Sequence, residues 1–348
     1  MIITLVLWIL LCGISMTAML HLSAHKTIII ADVIQGQVGL TTGSIQEGQE
    51  LKMLQTENSA GAFEILLPAN VRAENVVMEN RYMERELWVH IQCDDTEFYE
   101  NNPVSGDISA ILDGRYEVQP DGVLLKFAMD SIKEYHSTME GSYLRVAGFQ
   151  PKDMYSFIVV IDPVGGGSEK GLRGYEYSEN ELALQIARQV QKNFNLSGVK
   201  LYLTRSEDVE VTQEERMGLV QEVRADLYIR IGAAENSADE SVYGIQCYYN
   251  EDFFIPDFGN IELADITTKA VTIASSNRAV GLVPAEQESI LREINIPAVQ
   301  LSVGYLSNKQ ENILLQQESY QEKVAAGILN AVEESCRRMT ELQWKEEK

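Results

Sequence analysis

The hydrophobic pattern of this chain changes near residue 150, and that change limits the folds open to it. From about residue 155, short apolar runs alternate with amphipathic segments of helical period. The first run is Phe157-Ile158-Val159-Val160-Ile161, and a glycine-rich loop follows it. Ser178 stands three residues before Glu181, the spacing of a capping box, in which two side chains satisfy free backbone N–H groups at a helix start. Leu182, Ile186, Val190 and Phe194 give the helix behind it one apolar face. Val199–Leu203 reads as the next strand, and Thr212 with Glu215 forms a second capping box before Met217, Val220 and Val223. Further strands are expected at 227–231, 244–249, 288–292 and 298–303, with a helix near 261–275. Tyr320, Val324, Ile328 and Val332 line a last helix, and the charged tail after Glu333, including 336–348, is expected to fray. This alternation predicts an α/β domain over residues 155–335, a mainly parallel sheet flanked by helices.

Residues 25–150 read as a small β-rich domain. Apolar or alternating runs recur at 27–31, 63–67, 87–93, 123–127 and 143–146, separated by turn signals such as Asn101-Asn102-Pro103 and Pro120-Asp121-Gly122. Such spacing predicts a sandwich or barrel. Ahead of it, residues 2–20 carry no charged side chain, and about 20 apolar residues suffice for a helix across a hydrocarbon core. Residues 1–24 are therefore expected to be a transmembrane anchor, with a cleaved secretory signal as the alternative. The expected location is the cell membrane, single-pass, with the domains on the outer side, or secretion if the leader is cleaved. Lys26 after the apolar run argues weakly for the opposite orientation.

The formal net charge of −24 repels nucleic acid and anionic polymers over about 8 Å, so nucleic acid is excluded as a partner. Cys12 lies in the leader, and Cys93, Cys247 and Cys336 are scattered without a C-x-x-C pair, which predicts free thiols and no zinc ribbon. The four histidines, His21, His25, His90 and His136, all precede residue 150.

Five stretches of the second domain carry a family resemblance. They are Ile161-Asp162-Pro163 with Gly165-Gly166-Gly167; Leu203-Thr204-Arg205; Glu215-Arg216; Ala225-Asp226-Leu227-Tyr228-Ile229; and Ile296-Pro297-Ala298-Val299 with Gly304-Tyr305-Leu306-Ser307-Asn308. In order and spacing they resemble the zinc-dependent N-acetylmuramoyl-L-alanine amidases. The resemblance implies a hydrolase that cuts the bond between the lactyl group of N-acetylmuramic acid and the stem peptide of peptidoglycan. Its Zn²⁺ is held by two histidines and a glutamate, and a further glutamate serves as general base.

Carried onto this chain, the first histidine position falls at Gly165, the ligand glutamate at Glu179, the second histidine at Gly232 and the general base at Ser302. Only Glu179 can ligate. Because no histidine follows His136, no shift of register supplies an imidazole. The expectation is a degenerate, catalytically inactive homologue that needs no cofactor. Its groove around Asp162, Gly165, Glu179, Gly232 and Ser302 would bind peptidoglycan or a cell-wall protein partner and regulate wall remodelling. The alternatives are an active amidase with a displaced metal site and a structural interaction protein of the envelope. Two replacement chemistries stay open: Ser302 as a nucleophile served by Lys170 or Glu179, and a hard cation held by Asp162, Glu179 and Glu235. Glu179 also reads simply as a carboxylate at the positive end of a helix. The glycine loop lacks the G-K-[ST] ending of a phosphate loop. The β-rich domain resembles the wall-targeting β domains placed before such amidases.

Overall fold

The computed structural model describes residues 27–28, 30–32, 48–56, 61–287 and 289–346. The expected anchor at 1–24 lies outside these residues. Among the described residues no helix is long and apolar enough to cross a membrane. The chain forms two compact units that divide between Phe149 and Gln150.

The first unit is β-rich. Its strands are β1 (Ile30–Asp32), β2 (Gln49–Glu50), β3 (Met53–Gln55), β4 (Ala62–Leu66), β5 (Val76–Arg81), β6 (Glu86–Gln92), β7 (Val104–Gly106), β8 (Ile111–Gln119), β9 (Gly122–Met129), β10 (Glu134–Glu140) and β11 (Tyr143–Phe149), with a short helix α1 (Phe98–Asn101). They form one sheet in the order β1-β5-β6-β9-β8-β2 and another in the order β10-β11-β4-β7-β3. Strand β6 shows how the sequence specifies this. Leu87, Val89 and Ile91 are fully buried, while Trp88 and His90 between them are half-exposed, because side chains alternate across a pleated strand. Those residues share one core with Phe63, Ile65, Leu144 and Val146 of the other sheet, and the Phe63 and Phe127 rings lie 5.2 Å apart. A common core between two sheets makes the unit a sandwich rather than a barrel. Each fully buried Leu, Ile, Val or Phe contributes about 1.5–3 kcal/mol.

The second unit contains α2 (Pro151–Met154), β12 (Phe157–Pro163), α3 (Glu179–Asn193), β13 (Val199–Leu203), α4 (Gln213–Glu222), β14 (Leu227–Ala234), β15 (Ile245–Tyr249), α5 (Asn260–Ser275), β16 (Ala279–Pro284), β17 (Ala298–Tyr305), α6 (Lys309–Leu315) and α7 (Glu318–Glu346). Its sheet runs β13-β12-β14-β17-β15-β16 and is parallel at every junction except β15 with β17. β12 is buried along its whole length, as expected of a parallel strand covered on both faces. Both capping spacings place helix starts. Glu181 Oε2 accepts from the Ser178 N–H at 3.0 Å, and Thr212 Oγ1 accepts from Glu215 N–H at 3.2 Å.

Two expectations are corrected here. The strand expected at 288–292 is a short 3₁₀ turn, Ile290–Arg292, started by Ser289 Oγ accepting from Leu291 N–H. The strand is instead β16, whose Gly281 and Pro284 read as breakers in the sequence. They are tolerated because β16 is an edge strand paired only with β15. The tail expected to fray from Glu333 is helical to Glu346. Ser335 and Cys336 are buried, and Arg337 and Arg338 pair with Glu334 one turn away, which supports the helix on both faces. Cys93, Cys247 and Cys336 are free thiols.

Candidate functional site

Across four adjacent strands of the second unit, register places Asp162 (β12), Arg230 (β14), Gln300 (β17) and Tyr248 (β15) in one row. Gly232, Ser302 and Gln246 form the next row along. Residues two apart on a strand face the same way, so both rows lie on one side of the sheet.

Asp162 anchors this face and is fully buried. It accepts hydrogen bonds from Thr204 Oγ1 at 2.5 Å, from the Arg216 guanidinium and from the Tyr228 hydroxyl. Burial alone would raise its pKa. Arg216, then Arg230, Thr204 and Tyr228, outweigh burial and hold the carboxyl below its ordinary value. Arg216 also donates to the Gly165 carbonyl at 2.8 Å. Arg205 is fully buried and donates to the carbonyls of Pro163, Val164 and Asn180 at 3.1, 2.7 and 3.0 Å. Burial and the neighbouring Arg216 push Arg205 down to about 10. Asp162, Thr204, Arg205 and Arg216 thus pin the strand ends and the glycine loop in place. Their role is positioning.

Glu179 opens α3 and is buried. Its Oε1 accepts from Ala233 N–H at 2.8 Å and its Oε2 from Leu172 N–H at 2.9 Å. The carboxylate therefore ties the loop before α3 to the end of β14. Desolvation raises its pKa, against the two backbone bonds and Arg230. The helix-start reading is true of its position, but the side chain reaches across to β14.

The two glycines expected at the family's histidine positions are tightly surrounded. Gly165 has φ of +61°, and a Cβ there would lie 2.4 Å from the Glu169 carbonyl oxygen. A Cβ at Gly232 would lie 2.7 Å from Glu179 Oε1 and 3.1 Å from Val164 Cγ1. A side chain at Gly165 would meet backbone, and one at Gly232 would meet the tip of the Glu179 carboxylate. Zinc in a hydrolase takes three protein groups, with bonds to nitrogen of about 2.0–2.1 Å. The residues present do not fit that requirement. Among the described residues no three His, Cys, Asp or Glu side chains are grouped to hold a metal.

The replacement chemistries fare no better. Glu235 is exposed and Asp162 is committed to Arg216, Thr204 and Tyr228, so the expected oxygen cluster does not assemble. Lys170 Nζ pairs with Asp208 at 2.7 Å at the surface and does not serve Ser302. Ser302 Oγ is buried and makes no well-formed hydrogen bond. Its polar neighbour is the Tyr248 phenol, whose pKa burial raises while Ser302 lowers it slightly. Ser302 therefore has no base to activate it. His90 and His136 belong to the first unit, where His90 faces Asp121 at 3.1 Å. Sequence reasoning missed Arg230. Its signal was a lone charge in the apolar run Leu227-Tyr228-Ile229-Arg230-Ile231.

Residues 159–334 match the family model described as N-acetylmuramoyl-L-alanine amidase. The chain belongs to this amidase family. The "Probable cell wall amidase LytH" of Staphylococcus aureus is 26% identical over 181 residues, which cover 50% of this chain and 56% of that protein. The chain thus spans about half the length of the curated relatives it matches. Among solved structures, an N-acetylmuramoyl-L-alanine amidase from Clostridium difficile 630 is 27% identical, with a TM-score of 0.49, over 52% of this chain and 97% of that one. The catalytic domain of CwlV, an N-acetylmuramoyl-L-alanine amidase from Bacillus (Paenibacillus) polymyxa var. colistinus, is 26% identical, with a TM-score of 0.48, over 52% and 98%. Membership rests on the family match, and that match covers the second unit only.

Proposed function

We propose that this member of the amidase family binds peptidoglycan without hydrolysing it and acts in wall remodelling from the outer side of the cell membrane. One observation carries the reading: the second unit holds no histidine, and among its described residues no three ligating side chains are grouped to hold a metal. The general-base position is Ser302, which carries no proton acceptor of carboxylate strength. Without a metal to polarise the amide carbonyl or lower the pKa of water, the family's reaction has no electrophile and no nucleophile. Family membership supplies the ligand class. In this reading the β-sandwich unit contributes wall targeting, and the apolar leader supplies the anchor or, if cleaved, export.

The test uses the purified chain exchanged into micromolar zinc and desalted. Elemental analysis is expected to find far less than one zinc per chain. Incubation with purified sacculi is expected to release no stem peptide, with or without a chelator, while the protein sediments with the sacculi. Stoichiometric zinc with chelator-sensitive release would establish the chain as a working amidase. Sacculi that fail to sediment the protein would leave a protein partner as the ligand of the groove.

A further inference from the structure

Arg230 is the charged side chain of the groove whose hydrogen-bonding capacity the fold leaves largely unused. It sits on β14 two residues before Gly232 and on the same face. Its side chain is 16% exposed, so the guanidinium is largely desolvated yet still reaches solvent. Its Nε is buried with no hydrogen-bond partner, and its nearest carboxylate oxygen, Asp162 Oδ2, is 3.5 Å away. At that distance the two form an ion pair without a well-formed hydrogen bond. Among the described residues the guanidinium, with five N–H groups, makes no hydrogen bond.

The acidic neighbours are already engaged. Asp162 accepts from Arg216, Thr204 and Tyr228. Glu179 gives one oxygen to Ala233 N–H and the other to Leu172 N–H. Glu169 is exposed to water. A buried Nε–H without a hydrogen bond is costly even beside the Asp162 ion pair, and planar forks of this kind pair best with carboxylates through two parallel bonds. Beside Arg230 in the row are Gln300, whose side chain makes no hydrogen bond among the described residues, and the half-buried Tyr248 phenol. An amide and a phenol are suited to a neutral peptide group next to a single negative charge. A polyanion is disfavoured by Glu169 and Glu179 close by and by the formal charge of −24.

We infer that Arg230, with Gln300 and Tyr248, forms a binding site for the carboxylate of a peptide ligand, set in the groove where the family's reaction centre would be. The inference takes its ligand from the wall-binding reading, and the stem peptides of peptidoglycan present carboxylates of this kind. Binding would then be charge-assisted and would leave the ligand intact.

The full chain, labelled with ¹⁵N-arginine, is titrated with acetyl-D-alanyl-D-alanine and with its C-terminal amide. The acid is expected to shift the Arg230 Nε–H resonance, identified by its loss in Arg230→Lys, and to bind about 10- to 100-fold more tightly than the amide, as expected for a charge-assisted pair. Arg230→Gln is expected to remove that preference. Arg230→Lys keeps the charge without the fork, retains the fold and preserves part of the preference. Circular dichroism confirms that each variant is folded. Equal binding of acid and amide, no binding of the acid, or an unchanged preference in folded Arg230→Gln would overturn the inference. Sacculus sedimentation separates the two readings. Acid binding without sedimentation refutes the wall reading alone, and sedimentation without acid preference refutes this site alone.

Discussion

Replacing Gly232 with alanine tests how tightly the Glu179 carboxylate packs against the end of β14. The new Cβ would stand 2.7 Å from Glu179 Oε1 and 3.1 Å from Val164 Cγ1, against a comfortable separation of about 3.5–4.0 Å. A retreat of the Glu179 tip lengthens its bond to Ala233 N–H, now 2.8 Å. Loss of one hydrogen bond to a charged group costs about 1.5–3 kcal/mol. Removing a glycine from a strand interior returns about 0.5–1 kcal/mol. The expected net cost is about 1–2 kcal/mol. In a Glu179→Ala background only the Val164 contact at 3.1 Å remains, and Gly232→Ala should become neutral or stabilising by about 0.5–1 kcal/mol. The double-mutant cycle should therefore show a coupling of about 1.5–3 kcal/mol. Urea unfolding followed by circular dichroism at 222 nm reads mainly this unit, because among the described residues every α-helix but the short Phe98–Asn101 belongs to it. An additive cycle, with Gly232→Ala equally costly in both backgrounds, would refute the packing argument.

Other expectations follow from the same contacts. Arg216→Met leaves Asp162 buried with Thr204, Tyr228 and the more distant Arg230, and is expected to cost about 3–5 kcal/mol in urea unfolding. Asp162 has a lowered folded pKa, so its contribution is present above the ordinary carboxylate value of 3.8 and is lost as pH falls through the folded value. Arg216→Met should flatten that acid limb of the stability curve. In the sandwich unit, burial raises Glu84 to about 7 despite Arg81 at 3.1 Å. A raised carboxyl gives stability that is full below 4.5 and lost as pH rises through about 7. The melting temperature of this unit should climb between pH 8 and pH 5, and Glu84→Gln should remove the slope. Finally, Gly165→His with Gly232→His is expected to lower stability and still fail to hold one zinc per chain by elemental analysis. The left-handed backbone at 165 and the Glu169 carbonyl oppose the first imidazole, and Arg230 places a positive charge beside the site.

Local sequence determined much of this protein. Strand β6 and the helix starts at Ser178 and Thr212 were readable because period-2 burial and capping spacing are properties of neighbouring residues. The absence of any histidine after His136 leaves the second unit without an imidazole whatever its fold. Strand β16 was not readable, because its glycine and proline signal a turn and only its place at the sheet edge makes them acceptable. The helical tail was not readable either, since its support comes from burial of Ser335 and Cys336. The site followed the same division. The sequence named Glu179, Gly165 and Gly232, but only the folded chain decided that the carboxylate closes on Ala233 and Leu172 and excludes a side chain at 232. It alone aligned Arg230 with Gln300 and Tyr248, from strands that are far apart along the chain. Residue types and short-range spacing are written in the sequence. Which groups meet in the same few cubic ångströms is set by packing between distant segments, as with Glu179 against Gly232 in this groove.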